Sequence, residues 1–154
     1  MNYLPDTVNV VYCSSDLFSE VCAVGMVSLF ENNKHLRCIN VYVIDDKISE
    51  KNKNRIQQMA KKYGRNVYFI ALPDPSNFYK DERFTIKSLG HTYARMILGD
   101  VIPDNVERII SLDSDTMVLN NIDELWNTEM GEHPIAGVDD CMGRVALVKT
   151  QHLK

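Results

Sequence analysis

The chain has 154 residues, of which 45% are hydrophobic and 25% are charged, and its formal net charge at pH 7 is -4. This length suits a single domain, and the composition is that of a folded globular protein, which excludes disordered, collagen-like and coiled-coil classes. A small acidic excess supplies no positive field for binding nucleic acid, so no nucleic-acid partner is expected.

The sequence also bears on the cell compartment. The first residues show no basic leader with an apolar core, and no apolar run approaches the roughly 18 residues that a membrane span needs. The cysteines are Cys13, Cys22, Cys38 and Cys141, and no pair has the spacing of a zinc site. Free thiols in a reducing cytoplasm are therefore the expectation.

Strand and helix patterns alternate in the first half of the chain. A β-branched or aromatic run of strand length predicts a strand, and apolar residues at helical spacing predict a helix. Ser49 is a suitable helix N-cap, and Gly64 occupies the position of a glycine just beyond a helix. In order, we predict strand Val8–Cys13, helix Ser19–Asn32, strand Cys38–Ile44, a helix between Ser49 and Gly64, and strand Asn66–Leu72.

The second half continues the alternation after a proline-containing loop. We predict a helix from Ser88 to Gly99, strand Arg108–Leu112, a short helical turn at Ile122–Trp126 and a fifth strand at Pro134–Val138. Strands separated by helices indicate an α/β fold with a mostly parallel sheet and helices on both faces. Ligands of such sheets bind at the carboxyl ends of the strands.

Acidic residues follow four of the five predicted strands. They are Asp16, Asp45 with Asp46, Asp113 with Asp115, and Asp139 with Asp140. Any one of them can be a turn or helix-cap residue, because aspartate favours both positions. Four occurrences at one predicted edge favour a ligand site there.

Asp113-Ser114-Asp115 is the sharpest motif. In an extended segment, residues i and i+2 point to the same side, so the two carboxylates are expected to converge. Two close carboxylates repel each other, and a divalent cation relieves that repulsion. Mn²⁺ or Mg²⁺ binds one or two protein carboxylates and fills its other positions with water and phosphate oxygens. The motif thus predicts a metal that holds a diphosphate.

Several other nucleotide and hydrolase motifs are missing from the sequence. It has no Gly-x-Gly-x-x-Gly, no Walker lysine motif and no Gly-x-Ser-x-Gly elbow, which disfavours dinucleotide-binding dehydrogenases, P-loop NTPases and serine hydrolases. A haloacid-dehalogenase-type phosphatase also uses Asp-x-Asp after a strand. It remains a lesser alternative, because Met117 replaces the expected Thr or Val and the motif follows the fourth strand, not the first.

The residues resemble the N-terminal part of glycosyltransferase family 8. The family includes general-stress-protein-A-like proteins and bacterial lipopolysaccharide galactosyl- and glucosyltransferases. The matching segments are Asn9–Asn33, Thr92–Gly99, Arg108–Trp126 and Ile135–Asp140. The resemblance implies a GT-A-type, Rossmann-like nucleotide-diphospho-sugar transferase fold. It also implies metal-dependent transfer of a hexose, with retention, from a UDP-sugar to a saccharide, lipid-linked or protein acceptor.

The same resemblance implies residue roles. Asp113 and Asp115 would ligate Mn²⁺ or Mg²⁺, and Asp139 and Asp140 would lie on the sugar and acceptor side. The remaining donor-binding residues would be Cys13, Ser14, Ser15, Asp16, Phe18, Arg95 and Ser114. Within the loop after the first strand, Ser15-Asp16-Leu17-Phe18 replaces the family's common Asp-Asp-Asn-Tyr, and Leu17 lacks the amide of asparagine.

Family members continue beyond the last residue of this chain. Residues 1–154 are therefore expected to form one N-terminal nucleotide-sugar-binding domain, with the C-terminal part missing. His152 lacks the sequence context of the family's late histidine metal ligand. Self-association of the chain, and membrane association through the missing part, are further expectations. A non-catalytic nucleotide-sugar-binding remnant and a purely structural α/β domain remain as alternatives.

Overall fold

The protein folds around a parallel sheet whose strand order is β3-β2-β1-β4. The computed structural model describes residues 7–73 and 94–138. The strands are β1 (Thr7–Ser15), β2 (Cys38–Asp46), β3 (Asn66–Ala71) and β4 (Ile110–Leu112). Val10 of β1 pairs with Val41 of β2 on one side and with Ile110 of β4 on the other. The position of β1 between two other strands explains why its apolar residues Val8, Val10, Val11 and Tyr12 are fully buried.

One face of the sheet packs against two long helices, α1 (Ser19–Asn32) and α2 (Glu50–Lys62). Alternate residues of β1 and β2 point to this side and are fully buried with the inner face of α1. The largest of these core side chains are Tyr12, Met26, Leu29, Phe30 and Ile39. Burial of each such side chain contributes roughly 1.5–3 kcal/mol, so this layer provides most of the stabilisation.

The opposite face is covered by the segment before β4. A 3₁₀ turn, Ala94–Ile97, leads into the short helix α3, Leu98–Val101. Ala94 and Leu98 pack on Val11 and Ile44 of the sheet. Helices therefore lie on both faces, as the sequence predicts. None of the helices in the described part of the chain has the length and apolar character that a membrane span requires.

The predicted helix from Ser88 to Gly99 is only partly correct. Ser88–Tyr93 lies outside the described residues, and the part that follows continues through Gly99 to Val101. Gly99 does not adopt the positive φ of a helix-ending glycine. The helix ends instead at Ile102, whose extended ψ of 141° fits the restriction that Pro103 places on the residue before it.

Both predicted ends of α2 are confirmed. The Ser49 hydroxyl accepts a hydrogen bond from the Asn52 amide at 3.4 Å. Gly64 has φ 64°, and the amides of Gly64 and Arg65 donate to the carbonyls of Lys61 and Ala60. This pair of bonds is the Schellman motif, which needs a left-handed residue just beyond the helix.

The predicted fifth strand, Pro134–Val138, is wrong. These residues form neither helix nor strand, and Ile135 and Val138 are exposed. A strand needs a hydrogen-bonded neighbour, and the sheet formed by the described residues ends at β4 on that side. The last predicted helical turn is confirmed as α4 (Asp123–Trp126), and β4 is two residues shorter at its start than the predicted Arg108–Leu112.

A row of asparagine side chains joins the three neighbouring strands. Asn66 of β3 donates to the side-chain oxygen of Asn40 at 3.1 Å, and Asn40 donates to that of Asn9 at 3.1 Å. Asn9 in turn donates to the Arg108 carbonyl at 3.3 Å. The three asparagines are register partners, so their amides link β1, β2 and β3 at one level, and Asn9 extends the row to the residue two positions before β4.

Candidate functional site

The carboxyl ends of β1 and β4 lie side by side, and their loops enclose a cleft of about 360 Å³. The lining residues are Cys13, Ser14, Ser15, Phe18, Arg95, Ser111, Leu112, Asp113, Ser114 and Asp115. All of the sequence-predicted donor-site residues within the described part of the chain are in this lining except Asp16. Ser111 and Leu112 were not predicted, although they end the strand that leads into the motif. Asp139 and Asp140 lie outside the described residues.

The Asp113–Asp115 motif forms a turn. The Thr116 amide donates to the Asp113 carbonyl at 3.0 Å, so the expectation of an extended segment is wrong. The turn nevertheless leaves both carboxylates exposed at the cleft and turns Ser114 inward. The Ser114 hydroxyl donates to the Cys13 carbonyl at 2.6 Å, which ties the motif to the end of β1.

Arg95 reaches the motif from the opposite face of the sheet. Its guanidinium donates to a carboxylate oxygen of Asp113, forming an ion pair. Both side chains are more than half exposed, at 51% for Arg95 and 60% for Asp113. An exposed pair of this kind adds little to stability. The pair places a positive charge in the lining of the cleft.

Asp16 points away from the cleft. Its carboxylate accepts hydrogen bonds from the Ser49 amide and the Asn52 side chain, both at 2.8 Å. These bonds, the Ser49 amide first, lower the pKa of Asp16 below its ordinary value. Asp16 therefore anchors the loop after β1 to the N-terminus of α2, where a negative charge is favourable.

The rest of that loop supplies an aromatic ring and a thiol to the cleft. Phe18 is 44% exposed, and its amide donates to the Ser15 carbonyl at 3.2 Å, which closes a tight turn. Leu17 is 84% exposed and is not part of the lining. Burial raises the pKa of the Cys13 thiol to about 11, so it stays protonated at neutral pH and is a poor nucleophile.

Helix α1 holds the segment that follows the motif, which the sequence analysis did not foresee. Ser28 accepts the Val118 amide at 2.9 Å, and Asn32 donates to the Val118 carbonyl at 2.9 Å. One turn further on, the buried Asn33 accepts the Ile122 amide at 2.9 Å. Small and amide residues recurring along one side of an otherwise apolar helix are the signal that could have indicated this contact.

The carboxylates of Asp113 and Asp115 fit a hard divalent cation. Mn²⁺ and Mg²⁺ accept two carboxylate ligands and complete their shells with water and phosphate oxygens, which an open cleft admits. Within residues 7–73 and 94–138, no cluster of three or more His, Cys, Asp or Glu side chains could enclose a metal ion. Two carboxylates leave the other positions of a bound ion open to water and phosphate oxygens.

The sequence model of glycosyl transferase family 8 matches residues 9–153. The chain belongs to this family. General stress protein A of Bacillus subtilis is 28% identical over 136 residues, which cover 88% of this chain and 47% of that protein. Lipopolysaccharide 1,3-galactosyltransferase of Salmonella typhimurium is 26% identical over 135 residues, covering 86% of this chain and 39% of the relative. The family-8 chain thus spans less than half the length of these relatives.

The fold agrees with this assignment. The crystal structure of galactosyltransferase LgtC in complex with donor and acceptor sugar analogues matches with a TM-score of 0.66 at 26% identity. The match covers 80% of this chain and 44% of LgtC. This family-8 chain therefore has the parallel sheet and flanking helices of the GT-A glycosyltransferases.

Proposed function

We propose that this chain is the donor-binding part of a metal-dependent glycosyltransferase. The reaction is the transfer of a hexose, with retention of configuration, from a UDP-sugar to a saccharide, lipid-linked or protein acceptor. Residues 1–154 then form one N-terminal domain of the enzyme. Family membership and the similarity to an enzyme solved with donor and acceptor sugar analogues support this proposal.

One observation carries the proposal. Two exposed carboxylates, Asp113 and Asp115, share a cleft with the arginine Arg95 and the aromatic ring of Phe18. Asp113 and Asp115 would hold Mn²⁺ or Mg²⁺, and the bound ion would neutralise the diphosphate and stabilise the departing UDP. Arg95 would make charge-assisted hydrogen bonds to the same diphosphate. Phe18 would offer its ring to the base, and Ser114, between the two carboxylates, would lie near the ribose.

Thermal unfolding with UDP, GDP and ADP, each with and without Mn²⁺, tests the donor site. A ligand present at about 100 times its dissociation constant stabilises the folded state by roughly 2.7 kcal/mol. We expect this stabilisation with UDP and Mn²⁺ together and not with either alone. Asp115→Asn should abolish the effect, whereas Asp104→Asn, which makes the same change on an exposed turn, should keep it. An unchanged response in Asp115→Asn would refute the assignment.

A non-catalytic nucleotide-sugar-binding protein is the second candidate. The residues proposed for the donor line one cleft, no acceptor site is identified among the described residues, and the chain spans only 39–47% of the compared relatives. Incubation with UDP-hexoses and candidate saccharide acceptors separates the two readings. Sugar transfer supports the enzyme, whereas UDP release without transfer supports binding with slow hydrolysis. The cytoplasmic location, self-association and membrane association stay predictions.

A further inference from the structure

The backbone is fixed on both sides of Asp115. On one side, the Ser114 hydroxyl is bonded to the Cys13 carbonyl at 2.6 Å. On the other side, the Thr116 carbonyl lies directly against Gly25 in the middle of α1. A Cβ added to Gly25 would stand 2.8 Å from the Thr116 carbonyl oxygen and 3.7 Å from that of Ser114. The first distance is shorter than real contacts allow, so a side chain at Gly25 would have to move this backbone.

The segment after the motif cannot retreat from α1 to make room. Both backbone polar groups of Val118 are bonded to α1, its amide to Ser28 and its carbonyl to Asn32, each at 2.9 Å. The Ser28 hydroxyl is itself oriented by donating to the Gly25 carbonyl at 2.7 Å. The Val118 side chain is buried in the core between sheet and helices. A side chain added at Gly25 would therefore displace the backbone of Thr116 toward Asp115.

Helix propensity does not account for a glycine at this place. In the interior of a helix such as α1, which has 14 residues, glycine is less favourable than alanine. Gly25 has no positive φ that would require glycine. The close approach of the Thr116 carbonyl is what favours the absence of a side chain.

We propose that Gly25 is a positioning residue for the metal-binding carboxylate of Asp115, an inference that rests on the proposed metal site. Its missing side chain lets the turn after β4 sit against α1. The same helix begins directly after the loop that contributes Phe18 to the other wall of the cleft. Through Gly25, one rigid element thus sets the position of both walls.

The test is a titration of the full chain with Mn²⁺ alone. Electron paramagnetic resonance measures the concentration of free Mn²⁺ at each step. Gly25→Ala is expected to weaken Mn²⁺ binding roughly ten-fold or more, the size of effect seen when support for a metal ligand is lost. Gly99→Ala is the matched control, because it makes the same change in a helix where a Cβ meets nothing within 4 Å. Gly99→Ala should keep wild-type affinity. All titrations are run at temperatures where circular dichroism shows the proteins fully folded.

Hydrogen exchange supplies a readout that needs no metal. The Val118 amide, bonded to Ser28, should exchange faster in Gly25→Ala than in the wild type, and at the wild-type rate in Gly99→Ala. If Gly25→Ala does not fold, Ser28→Ala removes the same support and should also weaken Mn²⁺ binding.

The outcomes separate this inference from the proposed function. Folded Gly25→Ala protein with wild-type Mn²⁺ affinity would overturn the positioning role alone, and folded Ser28→Ala with unchanged affinity would do so if Gly25→Ala is unfolded. Wild-type protein that binds no Mn²⁺, or Asp115→Asn protein that binds it equally well, would overturn the proposed metal site and this role with it.

Discussion

Arg95 places a cation on a carboxylate that the proposed metal would use. Its ion pair with Asp113 is solvent-exposed, so the pairing is screened and easily exchanged. A divalent ion attracts Asp113 more strongly than a single guanidinium does. Once released, the guanidinium can make bidentate hydrogen bonds to a diphosphate in the same cleft. Arg95 would then pair with Asp113 before the metal binds, and with the diphosphate of the donor afterwards.

Arg95→Gln should therefore change metal and nucleotide affinity in opposite directions. Removal of the competing cation is expected to raise the affinity for Mn²⁺ alone by roughly two- to five-fold, the range of an exposed ion pair. The affinity for UDP in the presence of Mn²⁺ should fall, because a phosphate contact is lost. Isothermal titration calorimetry measures both, and Lys61→Gln, which removes an exposed charge from α2, is the control. A fall in Mn²⁺ affinity would contradict this role.

The residues of the Asp113–Asp115 motif and Arg95 could be assigned to the cleft from the sequence, whereas Asp16 in the loop after β1 could not. Asp113, Asp115 and Arg95 were predicted and do line the cleft. Asp16 was predicted as a donor-binding residue, yet its carboxylate binds the N-terminus of α2. A carboxylate suits a ligand and a free helix amide equally well, so only the position of α2 decides between the two roles. The placement of α2 next to this loop cannot be predicted from sequence periodicity.

The hydrogen bond between Asp16 and the Ser49 amide stabilises the N-terminus of helix α2. Ser49 caps the helix from within, and Asp16 adds a charged acceptor from the neighbouring loop. The hydrogen bond from the Ser49 amide lowers the pKa of Asp16 in the folded protein. The ionised carboxylate is therefore more stable in the folded protein than in the unfolded chain. The resulting stabilisation is complete above the unfolded pKa of about 3.9 and is lost as the pH falls through the lower folded value.

Asp16→Asn should accordingly lower the melting temperature at pH 7 and have a smaller effect as the pH falls below about 4, because the wild-type carboxyl is then protonated as well. Thermal unfolding across this pH range measures the difference between the two proteins. The matched control is Asp104→Asn, which makes the same change on the exposed turn after α3. A difference that stays constant from pH 7 to about pH 2 would show that the charge of Asp16 is not involved.

Other elements show which local signals are sufficient. The ends of α2 could be predicted, because Ser49 and Gly64 act through hydrogen bonds within a few residues. Pro134–Val138 has β-branched residues but no strand conformation, since pairing depends on a neighbour that local sequence does not specify. The continuation of α3 through Gly99 also depends on contacts with residues that are distant in sequence. Packing of Leu98 and Val101 on the sheet outweighs the low helix propensity of glycine.

Over the whole molecule, the asparagine row connects strands that are distant in sequence. Asn40 is its central member, since it both donates to Asn9 and accepts from Asn66. Asn66 is exposed and stands at the end of the row. Loss of the central amide removes the bonds to both Asn9 and Asn66, whereas loss of the terminal amide removes one bond of the row.

Asn40→Ala should therefore lower the free energy of unfolding by about 1–2 kcal/mol, and Asn66→Ala by about half as much. Denaturant unfolding measures both, and the double variant should lose less than the sum because the two residues share a bond. If both single variants lowered the free energy of unfolding equally, the central position of Asn40 in the row would not matter for stability. The order of the strands was not predicted, because no local pattern links Asn9, Asn40 and Asn66 across their separations.

The central position of β1 also has a consequence for how the chain is made. Its neighbour β2 follows after one helix, but its other neighbour, β4, is separated from it by most of the described chain, as the 101-residue interval between Cys13 and Ser114 shows. During synthesis on the ribosome, β1, α1, β2, α2 and β3 can assemble while one edge of β1 is still open. An open edge of this kind pairs readily with other chains. The open edge of β1 is covered only after Ile110–Leu112 has been made. The turn that bears Asp113 and Asp115 follows directly on that strand.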